Sequence, residues 1–242
     1  MRISRIFHPD LLSVDEHVTL GDDATNHLAN VLRAKVGQPL ILFNGDGAEY
    51  SAHVVDITKR KVIVCIDTKL SLSVESPLKL HLGQGISRGD RMDWVIQKAV
   101  ELGVSEISPL ITERCGVKLS AERWLKKHEQ WQKLIISACE QCGRNTLPTL
   151  HTPIDFHQWI SQSTEQLRLT LHPRAESTFR HIRLPVSGVR LLIGPEGGFS
   201  DQEIYQTEQS GFHTIQMGPR VLRTETAAIA AIAALQAIHG DL

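Results

Sequence analysis

Two glycine-bearing stretches near the end of the chain hold the residues best suited to chemistry. The first reads Gly194-Pro195-Glu196-Gly197-Gly198, and the second runs from Met217-Gly218-Pro219-Arg220 through Val221-Leu222-Arg223-Thr224-Glu225. Glycine admits positive φ and lets backbone N–H and C=O groups approach a ligand closely, while proline fixes its own φ and sharpens the turn. Glu196 and Glu225 could accept protons or hydrogen bonds, and Arg220 and Arg223 could hold an anion. Charged groups beside an open backbone suit a polar ligand. Taken singly, each stretch reads equally well as a tight turn. Glu225 could also serve only to complement a helix dipole, or to pair with Arg223. Two such loops, each with a glutamate nearby, favour a ligand site.

Both loops need a strand before them. Val189 to Ile193 is short, branched and uncharged after Arg190, as a strand buried on both faces should be. Ser200 and Glu203 have capping-box spacing, so a helix should begin at Asp201 and stop at Gly211. A second buried strand spans His213 to Met217. Loops at the carboxyl ends of adjacent parallel strands are where open α/β sheets bind ligands. Upstream come strand Leu78–Leu82, helix Asp90–Leu102, strand Glu106–Ile111, helix Ala121–Cys142, helix Asp155–Ile160 and strand Leu167–His172. This alternation predicts a mostly parallel α/β sheet over 73–242. The last helix, Thr224–Ile238, is apolar nearly all round and must be buried on several sides. Its small residues allow close approach of another helix, from the same chain or from a second subunit.

Residues 1–72 read as a separate β-rich domain. Strands are expected at Ile3–Phe7, His17–Leu20, Pro39–Phe43, Glu49–Val55 and Lys61–Asp67, with a hairpin turn at Asn44-Gly45-Asp46-Gly47. One helix, from Asp23 to Arg33, should bury Leu28, Val31 and Leu32. Several short strands with glycine turns suggest a small barrel. Ser71 to Pro77 forms the linker.

Composition excludes several classes. With a net charge of −1, nonspecific wrapping of nucleic acid is not expected, although Arg114, Lys118, Arg123, Lys126, Lys127 and Lys133 cluster in the middle of the chain. Interleaved Glu113, Glu122 and Glu129 make a solvated helix face the plainer reading of that cluster. Cys139-x-x-Cys142 has no second pair and lies on a helical apolar pattern, so buried core cysteine is expected rather than a metal site. Gly83-Gln84-Gly85-Ile86-Ser87-Arg88 nearly matches a dinucleotide fingerprint, but Arg88 replaces the third glycine and no acidic residue follows at the required distance. No apolar run is long enough to span a bilayer and the first residues lack a signal-peptide core, so a cytoplasmic protein is expected.

The two glycine loops, with Leu222-Arg223-Thr224-Glu225-Thr226-Ala227, resemble the bacterial 16S ribosomal RNA uridine-N3 methyltransferases, enzymes of the SPOUT class that use S-adenosylmethionine. The resemblance runs nearly end to end, through His27-Leu28, Val31-Leu32-Arg33, Lys98, Glu101-Leu102-Gly103-Val104, Gln141 and Arg144. It implies a PUA-like β-barrel that binds RNA, a SPOUT sheet ending in a trefoil knot, and a homodimer with ligand sites near its interface. Ile232 and Leu235 would then be candidates to face the partner. It further implies methyl transfer to N3 of a uridine in 16S rRNA of the small ribosomal subunit, with S-adenosylhomocysteine as product; no metal is expected, because the histidines show no zinc-ligand pairing and the cysteines only one pair. The cofactor would be held by three strand-end loops: Leu171, His172 and Pro173; Gly194 to Gly198; and Met217, Gly218, Arg220 and Leu222. Glu196 or Glu225 would act as base, with Arg220 or Arg223 stabilising the uracil anion. RNA contacts would come from Arg2, Arg5, Arg33 (with Lys35), Arg88 and Arg144. A noncatalytic RNA-binding dimer and a ribose 2′-O methyltransferase of the same class stand as alternatives.

Overall fold

The computed structural model describes residues 3–172, 175, 177–179 and 182–242; Arg2 and Pro173 lie outside them. The chain divides into two compact units, 1–75 with 139–147, and 76–138 with 148–242.

The first unit is built on a five-stranded sheet in the order β1-β3-β4-β5-β2, with strands Ser4–Phe7 (β1), His17–Thr19 (β2), Pro39–Phe43 (β3), Glu49–Ile57 (β4) and Val62–Leu70 (β5). Alternation sorts the side chains: Tyr50, Ala52, Val54, Val62, Val64 and Ile66 enter one core, while His53, Cys65 and Asp67 face outward. Gly45 and Gly47 take positive φ (93° and 86°) in the β3–β4 turn, where Asp46 accepts hydrogen bonds from Ala48 N and the Tyr50 hydroxyl.

The helix expected from Asp23 to Arg33 is instead a short α-helix, Asp22–Asn26 (α1), followed by a π-helical turn, His27–Val31. The wider turn changes the phase of the side chains. Leu28 is buried as expected, but Val31 and Leu32 stay 63% and 43% exposed. Arg33 then takes a positive φ of 50°. Cys139–Leu147 joins this unit because its polar side chains are committed there: Glu140 accepts from Phe7 N, Arg144 pairs with Glu75, and Asn145 donates to Leu72 O.

The second unit contains a parallel sheet in the order β12-β10-β11-β6-β7-β8. Its strands are Leu80–Gly85 (β6), Glu106–Ile111 (β7), Thr149–Leu150 (β8), Leu167–Leu171 (β10), Val189–Ile193 (β11) and His213–Ile215 (β12), and a short strand Ile154–Asp155 (β9) also pairs with β7. Every residue of β6 and β11 is buried, as central strands covered on both faces require. β6 runs further than its sequence suggests, through Gly83 and Gly85. A Cβ on Gly83 would overlap the Trp159 ring, and one on Gly85 would lie 2.5 Å from Pro195 N. These glycines therefore serve close packing, which explains why the near-fingerprint around them is not a phosphate loop.

Helices Asp90–Glu101 (α2), Ala121–Cys142 (α3), Phe156–Ser161 (α4), Asp201–Gln209 (α5) and Thr224–His239 (α6) complete the chain. The Ser200–Glu203 capping box starts α5 as its spacing requires. In α6, Ala228, Ala231, Ile232 and Leu235 are fully buried within the chain itself. Ile232 and Leu235 thus face the core of one chain and not a partner. Burial pushes the Cys139 thiol up to about 12, so at neutral pH it is an uncharged core group. Among the described residues, no helix is long and apolar enough to cross a membrane.

Candidate active site

β10, β11 and β12 are parallel neighbours, so the loops leaving their carboxyl ends open on the same side of the sheet. Together they wall a cavity of about 580 Å³, within the range of small-molecule sites. All the described residues expected to hold the cofactor line it: Leu171 and His172, Gly194 through Gly198, and Met217, Gly218, Arg220 and Leu222. Arg223 and Glu225 line it as well.

Local backbone chemistry shapes the walls. Gly198 N donates to Pro195 O at 2.9 Å, closing a tight turn in which Gly198 takes φ 65°. Gly218 takes φ 71° in the second loop. The first loop is tied to the start of α6 by a buried polar knit. The Thr224 hydroxyl donates to Gly194 O at 2.6 Å, and Gln84 Nε2 donates to Thr224 Oγ1 at 3.0 Å and to Gly85 O at 2.9 Å. Gln84 is completely buried, so these bonds are shielded from water and fix the spacing of the two loops. Sequence reasoning passed over Gln84 because it stood as the variable residue of a glycine motif.

Charge gathers at the cavity mouth. Glu196 Oε1 accepts from Arg88 N at 2.8 Å and from Arg91 Nη1 at 3.0 Å. Burial alone would raise the Glu196 carboxyl, but its own N–H, the Arg88 N–H and the Arg91 guanidinium outweigh it and hold the group below the usual carboxylate range. A carboxylate held this way makes a weak base, which argues against Glu196 as proton acceptor. Glu225 differs. Its Oε1 lies 4.0 Å from Arg91 Nε, its side chain is 14% exposed, and its Oε2 is buried with no hydrogen-bond partner. The guanidinium within ion-pair distance of Glu225 is therefore Arg91 and not Arg223. Arg91, which stands between the two carboxylates, escaped the sequence reading. It sits in the first turn of α2, more than 100 residues from either partner, and no local pattern marks it.

The candidate RNA contacts separate into two groups. Arg5 pairs with Glu49 at 2.7 Å, bonds the Asn145 side chain and lies over the Phe43 ring. Arg144 is 4% exposed and bonds Glu75 through Nε at 3.0 Å. Both guanidiniums are committed inside the first unit, which corrects the expectation that they grip phosphate. Arg33 and Lys35 are exposed, as is Arg88, whose Nε donates to Gly116 O at 3.2 Å.

Comparison with known proteins places this arrangement. Residues 74–236 match the family model for an RNA methyltransferase domain, and residues 20–66 match that for an RNA methyltransferase PUA domain. Over 242 residues the chain is 39% identical to a ribosomal RNA small subunit methyltransferase E of Buchnera aphidicola, covering 100% of this chain and 98% of that protein. The Bacillus subtilis protein of the same name is 31% identical, with 90% of this chain and 91% of that one covered. A Legionella pneumophila methyltransferase solved with bound S-adenosylmethionine superposes with a TM-score of 0.96 at 48% identity, covering 100% of both chains. The Neisseria gonorrhoeae ribosomal RNA small subunit methyltransferase E, also solved with S-adenosylmethionine, gives 0.93 at 38% identity, again with 100% of both chains covered. The chain belongs to the ribosomal RNA small subunit methyltransferase E family.

Proposed function

We propose that the protein transfers a methyl group from S-adenosylmethionine to N3 of a uridine in the 16S rRNA of the small ribosomal subunit. The observation that carries this reading is the cavity at the ends of β10, β11 and β12, walled by glycine backbone and edged by Arg220, Arg223 and Glu225. Backbone N–H and C=O groups of Leu171, Gly194–Gly198 and Met217–Leu222 suit the hydrogen-bonding edges of adenine and ribose, and His172 stands beside them. Bound there, S-adenosylmethionine supplies an electrophilic methyl group and is converted to S-adenosylhomocysteine. The uracil N3–H is weakly acidic and must lose its proton before or during attack. Glu225, with one unpartnered oxygen, is placed to take that proton, and Arg223 or Arg220 to stabilise the charge on the uracil ring. Glu196 remains ionised and holds Arg91 in place.

The same reading assigns the exposed Arg33 and Lys35 of the PUA-like unit to RNA phosphate, and places the protein in the cytoplasm with its substrate. It includes a trefoil knot of the SPOUT type. After β11 the chain reaches β12, on the far side of β10, and then returns so that Thr224 meets Gly194 at the end of β11. It also includes a homodimer, whose contact on α6 would be the strip through the half-buried Ala230 and Ala233 and the exposed Ala237. The test is methylation of small-subunit rRNA by the purified protein, followed by mass analysis of nucleosides. N3-methyluridine is the expected product. A 2′-O-methylated nucleoside would move the assignment to ribose methylation, and no saturable binding of S-adenosylmethionine would leave a noncatalytic RNA-binding protein.

A further inference from the structure

The outward face of the first unit's sheet carries a set of donors that the proposed methyl transfer does not use. His17 on β2 and His53 on β4 are both register partners of Cys65 on β5, so the three lie in one row across adjacent strands. Directly opposed residues of antiparallel strands bring their Cβ atoms within about 5.5 Å. Asp67 joins them through an irregularity. Ser51 pairs with Thr68 and Ala52 with Ile66, so Asp67 is an extra residue on β5. A bulge of this kind re-aims a side chain, and here the Asp67 carboxylate meets His53 Nδ1 at 2.8 Å. One donor atom from each of His53, Cys65 and Asp67 falls within 4.8 Å of the others. His53 and Asp67 side chains are 40% and 44% exposed, which leaves an approach for an ion from solvent.

We propose that His53, Cys65 and Asp67 form a surface site for a thiophilic divalent cation of the zinc type, with His17 or water as fourth ligand. Thiolate, imidazole and carboxylate together match the donors that zinc takes at about 2.0–2.3 Å in tetrahedral geometry. Neighbouring donors in such a tetrahedron lie roughly 3.5 Å apart, so small rotamer changes suffice. On binding, the Cys65 thiol releases its proton to solvent and the His53 proton moves from Nδ1 to Nε2, so one proton leaves per cation. Cys65 and Asp67 then balance the two positive charges. The cation clips β4 to β5, and to β2 where His17 is the fourth ligand, and stiffens the sheet.

The experiment is a titration of the chelator-treated, full-length protein with Co2+ under a non-thiol reductant, followed by absorption spectroscopy and Zn2+ competition. One saturable Co2+ per chain with a thiolate-to-cobalt charge-transfer band is expected, and Zn2+ should displace it. Cys65→Ser should abolish the band, and both it and His53→Ala should weaken binding by roughly tenfold or more. All three side chains point out of the core, and circular dichroism checks that the variants stay folded. A second donor set, His81, Glu106 and His151 in the other unit, is the competing explanation for any binding. Saturation without a thiolate band, a band that survives Cys65→Ser, or binding lost in His151→Ala would overturn the proposal. Methylation of rRNA by the metal-free protein is read separately, so failure here leaves the enzymatic reading untouched.

Discussion

Glu196 and Glu225 are the same residue type at the mouth of one cavity, and their surroundings give them different roles. Glu196 is held ionised by two N–H groups and Arg91, whereas Glu225 Oε2 faces no donor. Glu225→Gln should therefore lower the rate of methyl transfer by about 100-fold, the lower end of general-base contributions, with cofactor affinity nearly unchanged. Single-turnover kinetics beside calorimetry checks this, and a variant with wild-type rate would remove Glu225 from the proton path. The loop glycines also separate. At Gly198 a side chain would have to sit at φ 65°, while at Gly197 a Cβ would meet Arg114 Cβ at 3.0 Å with ordinary φ. Left-handed backbone costs a non-glycine residue roughly 1–2 kcal/mol, so Gly198→Val should weaken S-adenosylmethionine binding by about tenfold or more. Gly197→Val should act less, since its φ is ordinary and the contact with Arg114 needs to open by only a few tenths of an ångström. Equal, wild-type affinity in both variants would mean that the loop does not contact the cofactor. The glycines and carboxylates of this site were legible in the sequence because they cluster in two short segments. Gln84 and Arg91 were not, because they reach the site from β6 and α2 and only the folded sheet brings them there.

Among the strands and helices, legibility followed periodicity. β11, β7 and α3 appear with the boundaries that their apolar patterns indicate, the strands because their side chains are largely buried and α3 because Trp131, Ile135, Ala138 and Cys139 recur at helical spacing on one face. The exceptions have local causes. A π-helical turn displaced Val31 and Leu32, and β6 continued through two glycines whose missing side chains admit Trp159 and Pro195. The amino end of β6 supplies a pH test. His81, at the start of β6, donates or accepts through Nε2 with Ser108 at 2.9 Å, and burial, together with nearby Arg190 and His151, takes its imidazole from 6.5 down to about 4 despite the opposing pull of Glu106. Burial would raise the Glu106 carboxyl, but the His151 hydrogen bond and the adjoining charges hold it below its ordinary value. The signs agree. Between pH about 6.5 and about 4 the unfolded chain protonates His81 and the folded chain resists, so stability falls as pH falls through that window. Glu106 adds stability above its ordinary value that is likewise lost on acidification. The thermal midpoint should thus drop from pH 7 toward pH 5, and His81→Asn should flatten the dependence. Parallel curves for the two proteins would show that other groups set the acid limit.

For the molecule as a whole, the question is which unit grips RNA, and the structure changes how that can be asked. Deleting the first 75 residues would take the Phe7 N–H from Glu140 and the Glu75 carboxylate from Arg144, so both side chains lose a partner around the end of α3. Removing one partner of a buried pair is strongly destabilising, at roughly 3–5 kcal/mol. Loss of RNA binding in such a truncation would therefore report unfolding as much as lost contacts. Point substitutions separate the two. Arg33 and Lys35 are exposed beside Val31, Leu32 and Val36, a basic and apolar surface that suits a nucleic acid backbone. Each phosphate contact contributes about 0.7–0.9 to the slope of log affinity against log salt. Arg33→Ala should lower rRNA affinity and reduce that slope by about this amount, leaving S-adenosylmethionine affinity unchanged. Arg5→Ala should instead lower the thermal midpoint, because it abandons Glu49 inside the unit, and should leave the salt slope alone. Filter binding at several salt concentrations, with a melting curve for each variant, reads both effects. A full wild-type slope in a folded Arg33→Ala, Lys35→Ala double variant would move the RNA grip away from this surface. The basic stretch from Arg114 to Lys133, beginning where Arg114 donates to Gly197 O at the cavity mouth, would then be the surface to test.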